Sequence, residues 1–100
     1  MIPNKFKIAG GKIIKVLTPD FLEDDDEYKF GEFNSGPNII NVAKKVCIDD
    51  KEFEQTEEDM ERTFLHELFH SFQFYAGLEM DESEAQVFSN FMYEYLHTKE

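Results

Sequence analysis

The chain has 100 residues, enough for one small domain, and 41% of them are apolar, including 11 phenylalanines that supply bulk for a core. Its 22 acidic and 10 basic side chains leave a formal net charge of −12. A surface of that sign repels nucleic-acid phosphates and anionic lipid headgroups, so we expect neither nucleic acid nor a membrane as the primary partner.

Cysteine usage and the first residues of the chain are typical of a protein from a reducing compartment. The single cysteine, Cys47, has no partner for an internal disulfide. The segment "MIPNKFKIAGGKIIKVL" interrupts its apolar residues with lysines and lacks both the apolar region of a signal peptide and a membrane-length run. We therefore expect one domain over residues 1–100 and a location in the cytoplasm, or inside an infected cell.

The N-terminal segment has the pattern of a β-hairpin. Basic and apolar residues alternate on either side of Gly10-Gly11, which predicts strands near residues 5–9 and 12–18. Pro19 ends the second strand, and "DFLEDDDE" (residues 20–27) is then expected to be an exposed acidic loop.

Two further strands are predicted around the turn sequence "NSGP". They are "YKFGEFN" (residues 28–34) and "PNIINVAK" (residues 37–44). The segment "KKVCIDD" (residues 44–50) either extends the second of them or forms a short strand of its own.

The hydrophobic period changes to that of a helix after Gln55. Thr56 and the acidic residues 57–59 have the composition of a helix start, and the segment continues without Gly or Pro to Gly77. Asp81 is a suitable cap for a second helix that ends near His97. The short connection favours an antiparallel helix pair. A small antiparallel sheet of about four strands followed by two helices predicts an α+β domain.

The first helix contains the motif "HELFH" (residues 66–70). On a helix, His66 and His70 lie about 40° apart around the axis, so both imidazoles can bind one ion. Zinc accepts neutral imidazole nitrogens and tolerates an open fourth position. Glu67, about 100° from His66, is too far round to share the ion and is suited to take a proton from water there. The motif therefore predicts a hydrolytic zinc site.

The competing interpretation is a core helix with two structural histidines. From the chain's composition, the motif would arise by chance about once in a hundred such sequences. The apolar residues of the helix occupy roughly 160° to 300° from His66, so His66 and His70 lie beside the apolar face and not at its centre. This placement favours a site at the edge of a cleft.

A hydrolytic zinc site needs a third protein ligand. On the second helix, Glu84 falls within the apolar stripe and Glu82 on its border. A carboxylate on a buried stripe is costly unless its charge is compensated, which favours Glu84 as the third ligand and leaves Glu82 as the alternative. Cys47 and His97 are further candidates. Glu84 would otherwise be a solvated acid in the first helical turn.

Residues 66–96, "HELFHSFQFYAGLEMDESEAQVFSNFMYEYL", resemble the C-terminal half of small zincin-type metallopeptidases encoded by phages and bacteria, minimal relatives of the ImmA/IrrE-like and gluzincin groups. The resemblance implies zinc bound by His66 and His70, with Glu67 as the general base. "EAQVF" is similar to the E-A-x-x-F stretch that holds the third ligand, here Glu84. The short gap from His70 to Glu84 keeps Glu82 in contention.

The sequence therefore predicts a zinc-dependent peptidase with a peptide or protein substrate, in the cytoplasm of a bacterium or of a phage-infected host cell. A non-catalytic, metal-stabilised zincin-like module that binds a partner protein is the alternative. A fourth protein ligand, such as His97 or Cys47, would favour that module. A metal-free α+β domain is the third interpretation. For a peptidase, residues 37–44 are the candidate edge strand for pairing with an extended substrate.

Overall fold

The structure is a computed structural model that describes residues 2–25 and 27–100. The described residues form strands in the first half of the chain and two helices in the second, so the predicted α+β class is confirmed. The strands are β1 (Lys5–Ile8), β2 (Lys12–Leu17), β3 (Glu23–Asp24), β4 (Glu27–Tyr28), β5 (Gly31–Asn34), β6 (Ile39–Val42), β7 (Lys45–Ile48) and β8 (Lys51–Glu54). The helices are α1 (Glu57–Tyr75) and α2 (Glu82–Thr98).

Four strands form a mixed sheet in the order β1-β2-β6-β5. The predicted hairpin of β1 and β2 is antiparallel, as is the pair of β5 and β6. The central pair differs from the antiparallel sheet predicted from the sequence, because β2 and β6 are parallel, with Val16 opposite Ile40. The connection over residues 18–38 is long enough to cross back and bring β6 in along the direction of β2.

The sheet order also corrects the predicted edge strand. Residues 37–44 contain β6, which pairs with β2 on one side and β5 on the other, so that prediction is wrong. The edge is β5. The backbone N–H of Ala43 donates to the carbonyl of Phe30. Because hydrogen-bonded pairs alternate in an antiparallel ladder, the polar backbone groups of Gly31 and Phe33 point away from β6, toward the edge.

Two small ladders lie outside the main sheet. In β7 and β8, Val46 is opposite Phe53, so residues 44–50 contain a separate strand. The turn between them, Asp49-Asp50, has φ angles of 51° and 63°, as a two-residue hairpin turn requires. Residues 20–27, expected to be a loop, contain β3 and the first residue of β4, and Glu23 pairs with Tyr28. Asp26 lies outside the described residues.

The core lies between the main sheet and α1. Its buried apolar residues come from β2, β6 and α1 and are Ile14, Val16, Ile40, Val42, Phe64 and Leu65. Helix α2 packs on α1. Glu61 near the start of α1 contacts His97 near the end of α2, and further along, Phe69 packs on Phe88. The helix pair is therefore antiparallel, as predicted.

Side chains at the predicted positions cap both helices. The N–H of Asp59 donates to the Thr56 hydroxyl (3.1 Å) and the N–H of Thr56 donates to the Asp59 carboxylate (3.4 Å). The Asp81 carboxylate accepts from the N–H of Glu84 (2.9 Å), so α2 begins at Glu82. In the part of the chain that the structure describes, neither helix has the length and apolar character needed to cross a membrane.

The sheet approaches α1 closely at Gly31. A β-carbon there would lie 2.5 Å from Cγ2 of Thr63 and 3.3 Å from Cγ of Glu67. Strand β5 can therefore rest against α1 only because residue 31 has no side chain.

We expect Gly31→Ala to lower the free energy of unfolding by about 1–3 kcal/mol, because the added methyl group overpacks the contact with Thr63. Urea unfolding followed by circular dichroism measures the change. Gly36→Ala is the matched control, since the nearest atom to its added carbon would be 3.7 Å away. Equal effects of the two substitutions would show that the close approach is not a constraint.

Candidate metal centre

Helix α1 brings the two histidines of the motif together. The Nε2 atoms of His66 and His70 are 3.2 Å apart, and the ring centroids are separated by 4.8 Å. His70 is buried and His66 partly buried. Both Nε2 atoms point into the same small space beside the start of α2.

Glu82 completes the cluster. Its Oε2 lies 2.7 Å from Nε2 of His66, and its Oε1 lies 3.1 Å from Nε2 of His70. Among the described residues, His66, His70 and Glu82 are the group of potential ligands whose atoms converge, all within 4.8 Å of one another. The Glu82 side chain is 82% exposed, so this cluster is open to solvent on one side.

The other candidate ligands lie elsewhere. Glu84 is exposed, and its backbone N–H bonds to Asp81. His97 pairs with Glu61 through a contact of 2.8 Å between Nε2 and Oε2, and Cys47 belongs to β7. The structure therefore presents the alternative third ligand, Glu82, to the two imidazoles and does not bring Glu84 to them.

The rotation of α2 about its own axis explains this difference. Ala85 and Ser89 are fully buried against the rest of the fold. Glu82 precedes Ala85 by three residues and Ser89 by seven, so the three share one helical face. The aromatic residues suggested a different buried face, on which Glu84 would lie. In the sequence, the small residues Ala85 and Ser89 on the face of Glu82 were the sign that this face packs against α1.

The side chain of Gln73, also on α1, orients His70. The Nδ1 atom of His70 is 2.8 Å from Oε1 of Gln73, a residue only 1% exposed. The same oxygen accepts from the N–H of Asp81 (3.4 Å). Since an amide oxygen can only accept, Nδ1 of His70 carries the hydrogen and donates. The lone pair of a neutral His70 is then on Nε2, facing Glu82.

This arrangement fits a small divalent cation. A nitrogen lone pair 3.1 Å from a carboxylate oxygen is repelled unless a proton or a metal ion lies between them. Ligand atoms placed tetrahedrally around zinc are about 3.3 Å apart, given metal–ligand bonds of about 2.0–2.1 Å. The distances here are 2.7, 3.1 and 3.2 Å. Other divalent ions also accept two imidazoles and a carboxylate, so the donor set is not specific to zinc.

The pKa of Glu82 depends on its partial burial and on the two imidazoles. Its partial desolvation acts to raise its pKa. The hydrogen bond from His66 and the interactions with His70 act the other way, and together they hold the pKa of Glu82 below its ordinary value. The ionised form, which binds metal, is therefore favoured.

Glu67 lies next to this cluster without belonging to it. It is 8% exposed, and its Cγ lies against Gly31 of β5. Burial raises its pKa; His66 and His70 oppose the rise, and the nearby carboxylates of Glu82 and Glu32 add to it. A buried carboxylate with a raised pKa holds a transferred proton more readily than an exposed one.

His70, Glu67 and Glu82 line a small cavity. His66 lines, with the same two carboxylates, a larger cleft of about 590 Å³ between α1, β5 and the start of α2. Two cations flank it. Lys29 pairs with Asp24 at 2.9 Å. Arg62 donates to Glu58 at 3.2 Å and to Asn90 at 2.9 Å. Gly31 of β5, with the two residues before it, forms one wall of the cleft, and α1 and the start of α2 form the others.

Hydrogen bonds from the Gln55 side chain link the strand side of the cleft to α1. Its amide nitrogen donates to the carbonyls of Ala43 (2.6 Å) and Phe30 (3.3 Å), and its oxygen accepts from the Thr63 hydroxyl (3.3 Å). Neither Gln55 nor Gln73 was predicted as a site residue, because a neutral amide gives neither a charge pattern nor a hydrophobic period in the sequence.

Comparison of the chain with protein-family models, with curated proteins and with solved structures gave no match. The likeness of residues 66–96 to zincin-type metallopeptidases thus stays a resemblance. The function is inferred from the chemistry of the site.

We expect Glu82→Ala to lower metal affinity at least about 100-fold, because it removes the only carboxylate that reaches both imidazoles among the described residues. Glu84→Ala is the matched control and should bind metal as the unmodified protein does. Metal content after gel filtration, measured by elemental analysis, distinguishes the two. Loss of metal in the Glu84 variant alone would reverse the assignment of the third ligand.

We expect Gln73→Leu to weaken metal binding by about 10–100-fold, because Nδ1 of His70 loses its acceptor and the imidazole loses its fixed orientation. Competition with a chromogenic chelator measures the affinity. Gln86→Leu, the same change at an exposed position that lines the cleft, serves as the control. Unaltered affinity in a folded Gln73→Leu protein would contradict the orienting role.

Proposed function

We propose that this protein is a metal-dependent peptidase of the zincin type, with zinc as its cofactor and a peptide or protein as its substrate. The proposal rests on one observation: His66, His70 and Glu82 converge, while Glu67 lines both cavities that these residues line and lies outside the ligand group. A purely structural metal site has no use for an additional buried carboxylate at that place.

His66, His70 and Glu82 would hold the zinc ion, which supplies Lewis-acid polarisation of the scissile carbonyl and lowers the pKa of water. Glu67 takes the proton of the attacking water. It then gives that proton to the nitrogen of the departing amine. Gln73 keeps the hydrogen of His70 on Nδ1, so that Nε2 presents its lone pair to the ion.

The free edge of β5 is the proposed binding site for the substrate backbone. The outward groups of Gly31 and Phe33 can pair with an extended peptide, as a strand added to the sheet. Gly31 also lies against Glu67, so a peptide on this edge would pass the general base. This edge replaces the strand at residues 37–44 that the sequence favoured.

The non-catalytic module has less support from the same geometry. Structural zinc is usually closed by four protein ligands. The described residues bring three ligands together, and Cys47 and His97 are not among them. The exposed side of Glu82 leaves room for a further, non-protein ligand.

We also propose a reducing cytoplasm as the location, in a bacterium or a phage-infected cell. The single cysteine supports it, because a protein of oxidising compartments more often uses paired cysteines.

We expect Glu67→Gln to reduce peptide hydrolysis by at least about 100-fold and to leave metal content unchanged, because the amide cannot accept the proton of water and Glu67 is not a ligand. Cleavage of a fluorogenic peptide library, followed by mass spectrometry, measures turnover. Glu94→Gln, at an exposed position on α2, is the control.

Removing the metal with a chelator should abolish cleavage by the unmodified protein, and added zinc should restore it. If the metal-loaded unmodified protein cleaves no peptide in the library, the site favours the partner-binding module. If Glu67→Gln retains full turnover, another residue is the base.

A further inference from the structure

Helix α2 carries a second apolar face, directed away from α1. Val87, Phe91 and Tyr95 follow one another at intervals of four residues and are 70%, 69% and 53% exposed. Residues spaced by four lie on one side of a helix, so the three side chains form a continuous row. Exposed apolar rows of this kind on a charged protein are typical of contact surfaces.

Charged residues of opposite sign stand at the two ends of this row. Glu84 precedes Val87 by about one turn, and Lys99 follows Tyr95 by about one turn. Nζ of Lys99 lies 5.8 Å from the centre of the Tyr95 ring, which places the ammonium group on the same side of the helix. We call the row from Glu84 to Lys99 the α2 stripe: acid, three apolar residues, base.

The α2 stripe is complementary to itself when reversed. If two copies meet antiparallel about Phe91, the two Phe91 rings face each other, and Val87 of one copy faces Tyr95 of the other. Glu84 then faces Lys99 at both ends. A parallel arrangement would instead place like charges against each other. An isologous two-fold contact needs just this kind of surface.

We propose that the α2 stripe is a dimerisation surface, and that its occupant is the α2 stripe of a second copy. The net charge of −12 on each copy opposes association at long range, so attraction must come from the apolar row and the paired charges at its ends. One helix face per copy makes a small interface. The dimer is therefore weak, with a dissociation constant of the order of 10 µM.

Dimerisation in this way leaves the metal centre accessible. Glu82 lies about 180° around the helix axis from Phe91, and Gln86, which lines the cleft, about 140°. Each copy keeps its own cleft on the far side of α2. Dimerisation is therefore independent of the proposed peptidase activity. A chain that does not dimerise could still be a peptidase.

Sedimentation velocity of the full chain, from about 1 to about 200 µM, tests the association. We expect a shift from monomer to dimer across this range. Phe91→Lys should remain monomeric throughout. Phe53→Lys is the matched control, because Phe53 is a 49% exposed phenylalanine on β8, and it should dimerise normally. Circular dichroism confirms that each variant is folded.

Charge reversal tests the antiparallel register. Glu84→Lys and Lys99→Glu should each weaken the dimer by about fivefold, because each places two like-charged pairs in the contact. The double variant restores opposite charges and should recover most of the original affinity. A wild-type chain that stays monomeric at all concentrations overturns the proposal, as does a dimer that survives Phe91→Lys. Single variants that weaken the dimer without recovery in the double variant overturn the antiparallel register.

Discussion

The candidate metal centre depends on one contact above all: Nε2 of His70 lies 3.1 Å from a carboxylate oxygen of Glu82. Gln73 accepts the hydrogen on Nδ1, so a neutral His70 can offer only a lone pair to that oxygen. Two electron-rich atoms at this distance repel each other unless a proton or a metal ion lies between them. The buried amide of Gln73 therefore fixes Nε2 as the nitrogen of a neutral His70 that is free to bind the proposed ion.

The positions of the ligands depend on small side chains. Ala85 and Ser89 are fully buried and let α2 lie close to α1, which brings Glu82 over the two imidazoles. On the opposite side, Gly31 lets β5 rest against Thr63 and Glu67. The proposed ligands and the proposed general base are thus positioned by backbones in close approach. Rigid supports of this kind are what a catalytic site requires.

The size of the domain connects metal binding with stability. The buried apolar cluster is small, comprising residues of β2, β6 and α1. A cation that binds only the folded chain would add its binding free energy to this modest core. His66 and Glu82 come from different helices, so the ion would also hold α2 against α1. In the proposed peptidase, the same ion would serve both folding and chemistry.

Much of the local structure could be predicted from the sequence. The caps at Thr56 and Asp81, the Gly-Gly hairpin and the adjacency of His66 and His70 depend on residues near one another in the chain, where periodicity is informative. Helix rotation and strand order depend on distant contacts. Only the tertiary structure showed β6 at the centre of the sheet and Glu82 beside the imidazoles, because burial of Ala85 and Ser89 sets the rotation of α2 and long-range pairing sets the sheet.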